Sequence, residues 1–190
     1  MNTNKNPYIL KFKDSRNLLS NTGNFILNTY QDEYNCGGFA LGIPEWFLPY
    51  DEDNEDIAAK IRSIEEAYEE GDLYHKEACD ELAAIYVDYM CSQNYCRVVK
   101  DERDLEPNEY LIAFRASVHD FHYARRMDDG QWYHKMGWGR IQPLYQSEVE
   151  DSDWWCSLCH TYESDTFYLA VQKPNFSKAR IERRVGYKGA

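Results

Sequence analysis

Cys36 and His122, 86 positions apart, have the neighbours that suit covalent chemistry. Cys36 lies in Tyr34-Asn35-Cys36-Gly37-Gly38-Phe39-Ala40-Leu41, which reads as a turn delivering a cysteine to the start of an apolar helix. Asn35 is the expected N-cap, and Gly42 with Pro44 limits the helix to roughly two turns. A thiol at that point feels unpaired N–H groups and the positive end of the helix dipole, so its thiolate is expected to be favoured. His122 lies in Asp120-Phe121-His122-Tyr123, which reads as a strand. A histidine able to take the thiol proton completes the minimum apparatus of a cysteine hydrolase.

A third group is offered by His134, twelve residues after His122, beyond the turn Asp128-Asp129-Gly130. Two registers are open. A three-residue loop with Gly130 in the left-handed region pairs Met127 with Gln131 and sets His134 opposite Ala124, on the face of His122. A two-residue Asp129-Gly130 loop sends the two histidines to opposite faces. The first gives a triad, the second a Cys36–His122 dyad. His119, three residues before His122, competes for the base role and is expected on the other face of the strand.

These two segments resemble papain-like cysteine peptidases, in which the cysteine opens a helix and the histidine follows in later strands. The hairpin is similar to the histidine hairpin of hydrolases in the NlpC/P60 style, where a general-base histidine sits on one strand and a polar orienter on the next. The resemblance implies Cys36 as nucleophile, His122 as base and acid, and His134 as orienter. It also implies a glutamine shortly before the nucleophile as an oxyanion donor. Gln31 stands there, one residue closer than in the family, beside the Cys36 amide as the other donor. The implied fold is α+β and papain-like: N-terminal helices, namely a nucleophile helix and a helical hairpin, packed on a C-terminal antiparallel sheet.

Other cysteines offer weaker chemistry. Cys156-Ser157-Leu158-Cys159-His160 fits a c-type haem attachment pattern, but no export signal accompanies it. Its thiols and Cys91 and Cys96 are an alternative structural zinc set, although five positions separate the latter pair. A redox pair is the remaining option, without its usual βαβ context. Neither a cofactor nor a metal is assigned.

The elements that must position Cys36 and His122 follow from patterning. After the acidic run 51–56, Ile57, Ile61, Ile64 and Tyr68 mark one amphipathic helix that Gly71 ends; Ala78, Leu82, Ile85 and Tyr89 mark a second. Residues 51–95 thus read as a helical hairpin. Tyr8–Phe12, Arg97–Val99, Tyr110–Arg126, Gln131–Met136 and Thr166–Gln172 carry the β-branched and aromatic residues of strands. One domain over residues 1–190 accommodates all of this.

The chain carries a net charge of −12, unevenly spread: residues 173–190 form a basic tail of net +5, leaving −17 on the rest. Such a body repels nucleic acid and suits a basic protein partner, with a protein or peptide as substrate. No signal-like or spanning segment is seen, so no membrane role is expected and the six cysteines are read as cytoplasmic thiols. The reading of another class is a small acidic inhibitor that sequesters a basic or nucleic-acid-binding partner without catalysis.

Overall fold

A computed structural model describes residues 34–42 and 46–173. The expected strand at Tyr8–Phe12, Gln31, and the tail beyond Lys173 lie outside these residues. Within them, three helices precede a sheet: α1 (Cys36–Leu41), α2 (Glu55–Glu70) and α3 (His75–Ser92). Then come β1 (Arg97–Val99), β2 (Glu109–Ala116), β3 (Phe121–Arg126), β4 (Trp132–Lys135) and β5 (Ile141–Leu144). Two short helices, α4 (Gln146–Glu150) and α5 (Ser152–Ser157), lead to β6 (Phe167–Gln172). The class is α+β.

The sheet has the order β1-β6-β2-β3-β4-β5, antiparallel throughout. β2 is central, and all eight of its residues are buried, as its near-continuous apolar sequence requires of a strand covered on both faces. Both edges are short, and Pro143 sits on edge strand β5 where its missing N–H costs no ladder bond.

On one face Ile112, Phe114, Phe121 and Tyr123 pack with Cys36, Ile61, Ile64, Leu82, Tyr86 and Met90 from the three helices. On the other, Leu111, Ala113, Ala124 and Trp132 pack with Val149, Trp155 and Tyr162. Arg115 reaches that second face and is held by Thr166 Oγ1 at 2.7 Å and Ser152 Oγ at 3.1 Å.

α2 begins at its cap Asn54 and ends at Gly71, whose φ of 82° suits glycine. α3 is rotated from the expected stripe: it buries Ala78, Cys79, Leu82, Ala83, Tyr86, Val87 and Met90, while Ile85 and Tyr89 sit at the margin. The wide i, i+3, i+4 band around Tyr86 and Met90 was hidden because their ring and thioether also occur on half-exposed faces. β5, α4 and α5 were not expected from the sequence; each has at most six residues, too short for periodicity to declare. Among the described residues no helix is long and apolar enough to cross a membrane.

Candidate functional site

Asn35 organises the start of α1. Its side-chain oxygen accepts from the Gly38 amide at 3.0 Å and from the Phe47 amide at 3.1 Å, while its Nδ2 donates to the Phe47 carbonyl at 2.8 Å. One buried amide thus caps the helix and ties it to the returning chain. Gly37 permits the close fit: a Cβ there would stand 3.0 Å from the Phe47 ring and 3.1 Å from its carbonyl oxygen. Gly42 closes the helix at φ 72°.

The sheet supplies the other half of the arrangement. Met127 N–H bonds to Gln131 O at 2.9 Å, so residues 125, 123 and 121 also turn their backbone groups toward β4. The β3–β4 ladder, however, covers only Ala124 to Arg126. Cys36 takes the place that β4 vacates. Its thiol donates to the Phe121 carbonyl at 3.6 Å, and the Tyr123 and Gly37 amides hydrogen-bond to its sulfur. The buried edge of β3 is satisfied by the thiol instead of a strand. The sulfur therefore lies beside the backbone of His122.

The hairpin adopts the three-residue loop. Gly130 has φ 82°, and His134 pairs with Ala124. His134 therefore shares a face with His122, and His122 Nε2 lies 3.0 Å from His134 Nδ1 with the rings perpendicular. The Gln142 side chain, opposite His134 on β5, hydrogen-bonds to the His134 ring. One of the two facing nitrogens donates to the other; in the tautomer with the proton on His122 Nε2, His134 Nδ1 accepts it and His122 Nδ1 keeps its lone pair. Tyr162 stacks on His122 at 5.4 Å, and Trp155 meets its edge at 5.9 Å. His119 is in the β2–β3 turn rather than on a strand face, with Nδ1 3.9 Å from Glu65 Oε1.

The electrostatics correct one expectation. Cys36 is 5% exposed and His122 1% exposed. Burial, helped by the nearby Asp120 carboxylate, pushes the Cys36 thiol up to about 12. Burial, helped by His134, holds His122 well below the ordinary imidazole value, and burial also lowers His134. The resting pair is therefore neutral thiol and neutral imidazole, not the thiolate expected from the helix start. A six-residue helix has a weak dipole, and desolvation of the charged sulfur outweighs it. Asp120 is itself engaged, accepting from the Tyr162 hydroxyl at 2.6 Å with His160 Nε2 at 3.5 Å.

Cys36 and His122 open onto one cavity of about 500 Å³, whose walls include Trp46, Tyr86, Asp120, His160 and Tyr162. Cys159 and His160, the end of the Cys-x-x-Cys-His run, form part of that wall. Cys91 Sγ and Cys96 Sγ are 3.8 Å apart. Among the described residues no three His, Cys, Asp or Glu side chains are gathered to share an ion. Tyr162, Gln142 and the two tryptophans Trp154 and Trp155 escaped sequence reasoning, because their elements carried no recognisable signal. No family model, no curated protein and no solved structure matches the chain.

Proposed function

We propose that this is a cysteine hydrolase of papain-like fold, acting on a peptide, isopeptide or other amide through an acyl-enzyme in the cytoplasm. One observation carries the reading: Cys36 and His122 line a single cavity, and His122 Nε2 lies 3.0 Å from His134 Nδ1. The nucleophile is Cys36, the base and acid His122, and the orienter His134. Because the pair rests neutral, proton transfer accompanies attack. The Cys36 sulfur bonds to the substrate carbonyl carbon as its proton passes to His122 Nδ1, and His134 stabilises the imidazolium that forms. The amide of Cys36 stands at the first helical position, where helix geometry provides no acceptor, and it is the proposed oxyanion donor. Gln31 is the expected second donor. Collapse expels the amine, which leaves with the proton from His122; water, or another amine, then takes the acyl group from sulfur with His122 as base.

An acidic binding protein is the second reading, favoured by the neutral, buried state of Cys36. The two separate in one experiment. Wild type mixed with a panel of peptide thioesters and acid-quenched should show, by intact mass and peptide mapping, an acyl adduct on Cys36. That adduct should be absent in Cys36→Ala. A wild-type protein carrying no adduct on Cys36 with any member of the panel would favour the binding protein.

A further inference from the structure

The cavity extends beyond the cysteine and histidine to a second wall with a different character. Tyr86 is only 5% exposed, lines the cavity, and its hydroxyl makes no hydrogen bond among the described residues. A buried ring whose hydroxyl opens on a cavity without a protein partner leaves that oxygen available to an occupant of the cavity. Beside it, the Tyr50 ring stacks on the Tyr86 ring at 5.5 Å and 17°. The Glu65 carboxylate is the charge at this wall. Among the described residues its basic neighbour is His119, 3.9 Å away and too far for a hydrogen bond. Burial raises Glu65 above the usual carboxylate range, as expected of an acid that lacks a close counter-charge. Asp120 adds a second carboxylate on the nearer side, and among the described residues no lysine or arginine lines the cavity.

A carboxylate, an unpartnered phenol oxygen and two aromatic faces form a set that accepts hydrogen bonds and attracts positive charge. Acidic groups alone would form a solvated patch. Here the carboxylate borders a cavity, and the phenol oxygen of the buried Tyr86 ring opens into it. We propose that this wall, formed by Tyr50, Glu65 and Tyr86, binds the cationic side chain of a lysine or arginine flanking the amide presented to Cys36. The ammonium or guanidinium donates to Glu65 and to the Tyr86 oxygen, and its charge lies against the tyrosine rings. The aliphatic stem fills the apolar space between the two walls. The place of this subsite in catalysis rests on the hydrolase reading, whereas binding of the cation does not.

The test uses the full chain with Cys36→Ala, so that no turnover intervenes. Calorimetric titration compares Nα-acetyl-lysine methylamide with Nα-acetyl-norleucine methylamide, which shares the stem and lacks the charge. The lysine compound should bind roughly 10-fold or more tightly, scaled from hydrogen bonds to charged groups. Adding Glu65→Gln should remove most of that preference. Adding Tyr86→Phe should reduce it several-fold while keeping the ring and its packing. Equal binding of the two amides, or an unchanged preference with Glu65→Gln, overturns the subsite. A lysine preference in a protein that forms no acyl adduct on Cys36 leaves the subsite standing and removes the hydrolase reading. An adduct formed without any lysine preference does the reverse.

Discussion

The two faces of the sheet are built for different ends. The face under α1, α2 and α3 is a wide apolar core in which Cys36 lies among Phe121, Tyr123 and Tyr86. The opposite face is narrower and aromatic, and it holds His122, His134 and Arg115 among Trp132, Trp155 and Tyr162, whereas the buried cations of the first face, Arg125 and Lys135, lie against Tyr110 and Tyr34 beside α1. The first face fixes the thiol; the second fixes the imidazoles. They meet where β4 departs from β3 and Cys36 fills the gap. On the proposed hydrolase reading, a nucleophile and a base would come from opposite faces of one strand, with the edge between them opened and the thiol beside the strand backbone.

Removing either side of that junction should have the largest effect. Cys36→Ala and His122→Ala should each lower turnover by at least roughly 1,000-fold, the scale seen when members of a nucleophile–base pair are deleted. His119→Ala should keep most activity, since His119 sits in the turn and not on the imidazole face. If His119→Ala and His122→Ala exchange these outcomes in a steady-state assay, the base comes from the turn and the contrast between faces fails.

Within the imidazole face, His134→Ala should cost roughly 10- to 1,000-fold in turnover, an orienter effect rather than loss of the base. His134→Asn and His134→Gln should restore part of it, because an amide oxygen can accept the His122 Nε2 proton. Equal loss in all three variants would show that the ring packs against Trp154, 5.3 Å away, without orienting His122.

The same face should make the fold acid-sensitive. His122 and His134 both have folded values lowered from the ordinary 6.5. The unfolded chain therefore binds protons that the folded one refuses. Their contribution to stability is whole above pH 6.5 and is lost as pH falls through the lowered values. Thermal melts below pH 6.5 should show Tm falling more steeply for wild type than for a His122→Gln, His134→Gln double variant. Parallel slopes would contradict the buried, neutral histidines.

Smaller effects sharpen the thiol side. A Cβ on Gly37 meets Phe47 at 3.0 Å, so Gly37→Ala should destabilise by about 1–3 kcal/mol in denaturant melts, despite a helix-propensity gain of about 1 kcal/mol. Gly130→Ala has open space, its nearest neighbour being the Arg126 guanidinium at 3.7 Å, and should cost only the left-handed backbone penalty of about 1 kcal/mol. A neutral Gly37→Ala would mean that Phe47 yields and does not clamp the helix.

What was legible in the sequence was local. Asn35 as a cap, Gly71 as a helix end and Gly130 as the left-handed residue of a hairpin each act through neighbouring backbone, and each stands where its chemistry indicated. The register of His122 and His134 was narrowed to two choices, because strand alternation fixes faces once the loop length is known. What was not legible depends on distant packing. The neutral state of Cys36 follows from burial under elements far along the chain, and that burial reverses the inference from the helix start. Gln142 was hidden because β5, only four residues long and interrupted by Pro143, has no pattern of its own. Tyr162 was hidden in a loop whose only legible feature was the nearby Cys-x-x-Cys-His run.

The central claim, a neutral buried thiol driven by His122 from across the sheet edge, is tested most directly by competitive alkylation read by peptide mapping. Small iodoacetamide at pH 7 should modify the exposed Cys159 before the buried Cys36. A peptidyl vinyl sulfone that fills the cavity should reverse that order and label Cys36 first, with His122→Ala suppressing the labelling and His119→Ala sparing it. If Cys36 reacts first with iodoacetamide at this pH, the thiol is not held neutral. If the peptidyl reagent leaves Cys36 untouched, or labels it equally in His122→Ala, His122 does not drive the thiol.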